Sequence, residues 1–175
     1  MKKIDLLKKF NQVRKKTISI CNPLEIEDYV VQPNQEVSPI KWHLGHTSWF
    51  FEEIIILKFR KNKNRFNETY NTIFNSYYKS LGNHWKQSQR GQLSRPTVKE
   101  IIKYRNYINE EINNIFSSNK NNEELNFLLE LGINHEEQHQ ELMFMDIKYI
   151  LDINLSQIKY TKTKIPKVKY KIKKW

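Results

Sequence analysis

Apolar residues recur at helical spacing through most of this chain. Ile4, Leu7, Phe10 and Val13 fall three residues apart, which predicts a first helix from about Ile4 to Ile20. Asn22-Pro23 ends it, and an irregular stretch follows through Gln32-Pro33-Asn34. A second helix is predicted from Ser38-Pro39, with Ser38 as cap and Pro39 in the first turn, to about Phe59. Trp42, His46, Trp49 or Phe50, and Glu53 line one side of it, a mixture of aromatic and ionisable groups unlike a plain core stripe. From Arg60 to Ser94 the chain is polar, with one short helical piece expected at Thr72–Ser80. A connection this long without a long element of its own is more often functional than idle. The third helix opens at Thr97, whose spacing to Glu100 is that of a capping box. Val98, Ile101 or Ile102, Arg105, Ile108 and Ile112 then follow at helical intervals. The fourth runs from about Asn122 to Leu151 with Leu125, Leu128, Leu129, Gly132, His135, His139, Leu142, Met143 and Ile147 on one stripe.

Four amphipathic helices with a long second-to-third crossover predict an all-α, antiparallel four-helix bundle over residues 1–153. Beyond Ile153 the pattern changes to alternation, with Ile165, Val168, Tyr170 and Ile172 set among lysines. Residues 154–175 therefore read as a basic tail or linker approaching the first strand of something further. The sequence shows no internal repeat, no glycine-rich phosphate loop and no Ser or Cys nucleophile motif.

Composition narrows the class. Glycine and proline are scarce, with 4 and 5 in 175 residues, which favours helices over a sandwich. No apolar run approaches the roughly 18 residues that a membrane span needs. Met1-Lys2-Lys3-Ile4-Asp5 begins no secretion signal, and the single Cys21 excludes an intramolecular disulfide, so a reducing cytoplasm is expected. The formal charge of +11 invites a nucleic-acid reading, but eight of the lysines lie in residues 156–175, leaving +3 (11 − 8) for the rest. That tail lacks arginine, so the charge argues only weakly for a polyanion.

The chemistry concentrates in His135-Glu136-Glu137-Gln138-His139. At 3.6 residues per turn the two imidazoles share a face one turn apart, which suits a common metal. His-Glu-x-x-His is also the zinc-protease signature. Its extended form needs Gly and a further His downstream, where this chain has Leu142 and Met145, and no acid follows Asp152 to serve instead. A third ligand from the second helix solves the problem better, and Trp42-His43-Leu44-Gly45-His46 offers both His43 and His46. Three neutral imidazoles on one face of iron leave about three positions for reactants. Glu136 and Glu137 are candidates for holding ring N–H groups, although at least one reads as an ordinary solvated charge.

Several of these segments together resemble a known family. Ser38-Pro39-Ile40-Lys41-Trp42-His43-Leu44-Gly45-His46-Thr47-Ser48-Trp49-Phe50-Phe51-Glu52 is similar to the second-helix motif of the sulfoxide synthases of ergothioneine biosynthesis. Phe74-Asn75-Ser76-Tyr77-Tyr78, Arg90 to Val98, Tyr104-Arg105, the His135–His139 run and Asp146-Ile147-Lys148 continue the resemblance in order, over about Leu24 to Ile153. Members of that family are non-haem iron enzymes with a DinB-like four-helix bundle and a second domain like formylglycine-generating enzyme. They use O2 to join a cysteine-type thiol to the imidazole of trimethylhistidine. The resemblance implies Fe(II) on His46, His135 and His139, with His43 a neighbouring non-ligand; zinc is the alternative ion on the competing thiol-transferase reading. It also implies substrate contacts through Arg90 and Gln138, while Gln87 stands where a further arginine is common. The family's second domain brings the catalytic tyrosine, so this chain is expected to be the metal-binding half: one subunit of a split enzyme completed by a separate protein, a truncated gene product, or a stand-alone relative. A DinB-like metal-dependent thiol transferase and a non-catalytic docking subunit are the competing readings.

Overall fold

The computed structural model describes residues 3–60, 64–76, 83–119, 122–156 and 158–161. Among them every regular element is helical. Helix α1 spans Lys3–Cys21 and is followed by a 3-10 turn at Ile26–Val30. Helix α2, Ile40–Phe51, runs on through a wide π turn at Glu52–Ile56 into the short α3, Leu57–Phe59. Helix α4 is Glu68–Phe74, α5 is Val98–Ser118 and α6 is Glu123–Asp152. No helix among the described residues is long and apolar enough to cross a membrane.

The caps explain the boundaries. Thr97 accepts from the Glu100 N–H while Glu100 accepts from the Thr97 N–H, so the expected capping box opens α5. Asn122 accepts from the Leu125 N–H and opens α6. Ser38 does not cap α2. Its N–H donates to Asp146 and its hydroxyl takes a hydrogen bond from Arg90, while Pro39 occupies the cap position. The short helix also lies earlier than the sequence predicts, at Glu68–Phe74 instead of Thr72–Ser80, because Asn67 caps it by accepting from Thr69. The expected continuation, residues 77–80, lies outside the described residues, as does the alternating Ile165–Ile172 stretch.

Helices α1, α6, α2 and α5 pack in that order around a ring, so α5 and α6, neighbours in sequence, face each other across the core. Hydrogen bonds fix the directions. Ser38 meets Asp146 and Lys58 meets Glu124, so α2 and α6 are antiparallel. Asn11 meets Asn113 and Arg14 meets Asn109, so α1 and α5 are antiparallel too. Lys41 reaches Pro96 and Arg60 reaches Glu111, so α2 and α5 run parallel, as do α1 and α6. The antiparallel expectation therefore holds for two of the four neighbouring pairs, and the long crossover makes the other two parallel.

Every residue of α2 from Ile40 to Phe51 is buried. It is the central element, packed against α5, α6, α4 and the Ile26–Val30 turn. That is why its sequence shows no clean polar face.

Candidate metal centre

Helix α2 brings His43 and His46 against His135 and His139 of α6. The ring centroids of His46, His135 and His139 lie 4.6–4.9 Å apart. One nitrogen from each of these three lies within 4.8 Å of the others. His46 and His135 approach most closely, Nε2 to Nε2, at 3.2 Å. Two metal–nitrogen bonds of about 2.1 Å at an angle near 100° place their nitrogens about 3.2 Å apart, so this pair already has the spacing of a shared ion.

Each ring is held from behind. His46 Nδ1 donates to the Phe74 carbonyl at 2.6 Å, and its ring stacks on Trp42 at 4.6 Å. His135 stacks on Phe50 at 3.9 Å, and its buried Nδ1 finds no hydrogen-bond partner among the described residues. His139 Nδ1 lies 2.9 Å from His43 Nδ1. Burial disfavours the charged form of all four imidazoles. It pushes His135 down to about 4, holds His46 well below its ordinary value, and lowers His139 together with the neighbouring His46 and His43. His43 is lowered by burial against the opposing pull of Asp146. Near neutral pH the cluster offers neutral nitrogen donors, the form that ligates metal.

The three rings stand in a cleft of about 260 Å³ lined also by Trp42, Ser38, Arg90, Leu142 and Asp146. Arg90 is buried, with its guanidinium carbon 3.2 Å from the centre of the Trp42 ring and an N–H donated to Ser38 at 2.8 Å. A stacked guanidinium on the wall suits a carboxylate ligand.

Residues 9–143 match the DinB superfamily. The chain belongs to the DinB superfamily. The match covers more than half of the chain and includes all three histidines of the cluster, while no curated protein matches the sequence.

Within this DinB domain the candidate residues of the sequence separate. His46, His135 and His139 come together, and Arg90 joins them on the cleft wall. Gln138 does not: it is exposed on the flank of α6 and is not among the cleft residues. Gln87 lines the cleft but donates its amide to the Glu36 carbonyl. Glu137 is half-buried and pairs with Lys9. Glu136 turns away from the histidines into the bundle core, where it accepts from Arg14, Arg105 and Thr17 at 2.9, 2.8 and 2.6 Å. Arg14 and Asp146 escaped the reading of individual residues. A lysine-rich first helix hid Arg14, whereas Arg105 stood out on an otherwise apolar stripe.

Proposed function

We propose that this DinB domain holds one divalent metal ion through His46, His135 and His139 and uses it to engage a small-molecule thiol. We further propose that it does so as the iron-binding bundle of an oxygen-dependent sulfoxide synthase. The observation that carries the reading is the convergence of three neutral imidazoles in one cleft with a buried arginine on its wall. With no anionic ligand in the set, a bound ion would keep its full positive charge and favour a thiolate over a thiol. Three protein ligands leave about three positions on an octahedral ion, enough for a thiol and a second small reactant.

The surrounding residues bind and orient. Phe74 and Trp42 fix the His46 ring, Phe50 fixes His135, and Arg90 offers a cation for a substrate carboxylate. Trp42 and Leu142 supply apolar wall that limits water. The order of motifs along the chain supports the reaction class: formation of a C–S bond between a cysteine-type thiol and a trimethylhistidine-type imidazole, with O2 as oxidant. On this reading a tyrosine-bearing domain completes the site, and the reaction takes place in the cytoplasm. Protein loaded anaerobically with Fe(II) should bind one ion per chain, and His46→Ala, His135→Ala and His139→Ala should each lose it. Stoichiometric iron surviving His46→Ala would overturn the ligand set. Oxygen uptake that needs thiol and trimethylhistidine together, in the presence of the completing domain, would support the synthase.

A second reading is favoured by the positions of Gln138 and Gln87. The first lies outside the cleft and the second is tied to a backbone carbonyl, so neither is presented as a substrate clamp in this chain. A metal-dependent thiol transferase needs only the ion, an open position and an anion contact, and zinc would serve it. Anaerobic transfer of a low-molecular-weight thiol to an electrophile, lost in His46→Ala, would decide for this reading.

A further inference from the structure

Resting on the metal-centre reading, we propose that Asp146 and His43 form a relay that fixes the tautomer of His139 and so aims its Nε2 lone pair at the ion. The argument is a count of donors and acceptors. Asp146 Oδ2 lies 2.9 Å from His43 Nε2 and also accepts the Ser38 N–H at 3.0 Å. A carboxylate only accepts, so His43 Nε2 carries the proton. A neutral imidazole has one N–H, which leaves His43 Nδ1 as an acceptor. Its partner at 2.9 Å is His139 Nδ1, which must therefore donate. The proton on His139 is then fixed at Nδ1, and Nε2 keeps the lone pair that a metal needs.

His46 reaches the same state by a shorter route, since its Nδ1 donates directly to the Phe74 carbonyl. The two ligands are thus set by different devices, one a backbone oxygen and the other a carboxylate reached through a second imidazole. His43 is 3% exposed and sits one helical turn before His46 on α2, in contact with α6 on the far side of His139. Asp146 stands two turns past His139 on α6, so the relay also ties the two ligand-bearing helices together. His43 is a positioning residue in this scheme, since its two ring nitrogens are committed to Asp146 and His139. Partners of this kind typically change metal affinity by roughly 10–100-fold when removed.

The test separates the relay from the metal reading. Nitrogen-15 NMR of the apoprotein reads which ring nitrogen carries the proton, and chelator competition with Zn(II) and Fe(II) reads affinity. In the wild type, His43 should be protonated on Nε2 and His139 on Nδ1. Asp146→Leu removes the acceptor at the rim of the cleft and should give mixed tautomers at both rings, with affinity falling roughly 10–100-fold. Asp146→Asn should rescue both readouts, because the Ser38 N–H keeps an amide oxygen in the place of Oδ2. Circular dichroism checks that both variants are folded. A wild-type His139 protonated on Nε2 would overturn the relay, as would an Asp146→Leu variant with wild-type tautomers and affinity. Wild-type tautomers as assigned, in a protein that binds neither ion, would support the relay and defeat the metal reading.

Discussion

Replacing Glu136 with glutamine removes the one anion between two buried guanidiniums. Burial alone would raise the Glu136 carboxyl, but Arg14 and Arg105 outweigh it and hold the group down to about 2 against an ordinary 4.5. A difference of about 2.5 units (4.5 − 2) at 1.36 kcal/mol each corresponds to about 3 kcal/mol of folding stability. That agrees with the roughly 3–5 kcal/mol lost when a buried ion pair is broken from one side. Against a typical net stability of about 5–15 kcal/mol the loss is large. Burial and Arg105 lower the Arg14 guanidinium to about 10, so it remains charged near neutrality and Glu136→Gln leaves two like charges facing each other. The carboxylate's contribution is complete above its unfolded value near 4.5 and is lost as pH falls through about 2. Urea unfolding of both proteins at fixed ionic strength, followed by circular dichroism at pH 7, 5 and 3, measures it. The gap should be about 3 kcal/mol at pH 7 and 5 and shrink toward pH 2. A difference below about 1 kcal/mol at pH 7, or a gap that stays constant into strong acid, would refute the electrostatic account.

Four further outcomes follow from packing and burial. A Cβ at Gly45 would sit 2.3 Å from the buried Phe74 ring, whose carbonyl holds His46. Gly45→Ala should cost about 1–3 kcal/mol from overpacking, offset by up to about 1 kcal/mol of helix propensity, and should weaken metal binding in a chelator titration. Gly132→Ala meets Phe51 at the same distance but touches no ligand's partner, so it should lower the melting temperature while keeping one ion per chain. Tyr104→Phe strips the buried Glu52 carboxylate of the hydroxyl that donates to it at 2.5 Å, and thermal melts should report a loss of about 1–3 kcal/mol. Cys21 is 1% exposed, and burial pushes its thiol up to about 11, so thiol-labelling reagents should react only at the rate of unfolding.

Long periodic segments announced themselves. Helices α1, α5 and α6 follow the spacing of their apolar residues, and Thr97 and Asn122 cap where local chemistry says they should. The His135–His139 pair was legible because an i, i+4 spacing is a property of a single helix. His46 required a tertiary partner, and its place beside the pair depends on a crossover that periodicity cannot orient. The misreadings of Ser38 and Glu136 share one cause, a long-range contact that outcompetes a local one. Ser38 would cap α2 if Arg90 and Asp146 did not take both of its polar groups. The short helix is a different case: Asn67 caps it early, and Tyr70 and Phe74 pack in the core, Tyr70 5.0 Å from Tyr104. Glu136 looked like a partner for a histidine, but its true partners lie 122 and 31 residues away in sequence.

The separation of His46 from His135, 89 residues along the chain, also bears on the order of assembly. Closing so long a loop is slow, because its entropy must be surrendered before any contact across it forms. Helices α2 and α6 must therefore be paired before the three nitrogens can meet. An ion that binds only where these helices are paired would stabilise the folded chain over the unfolded one, and the melting temperature would then rise with its concentration.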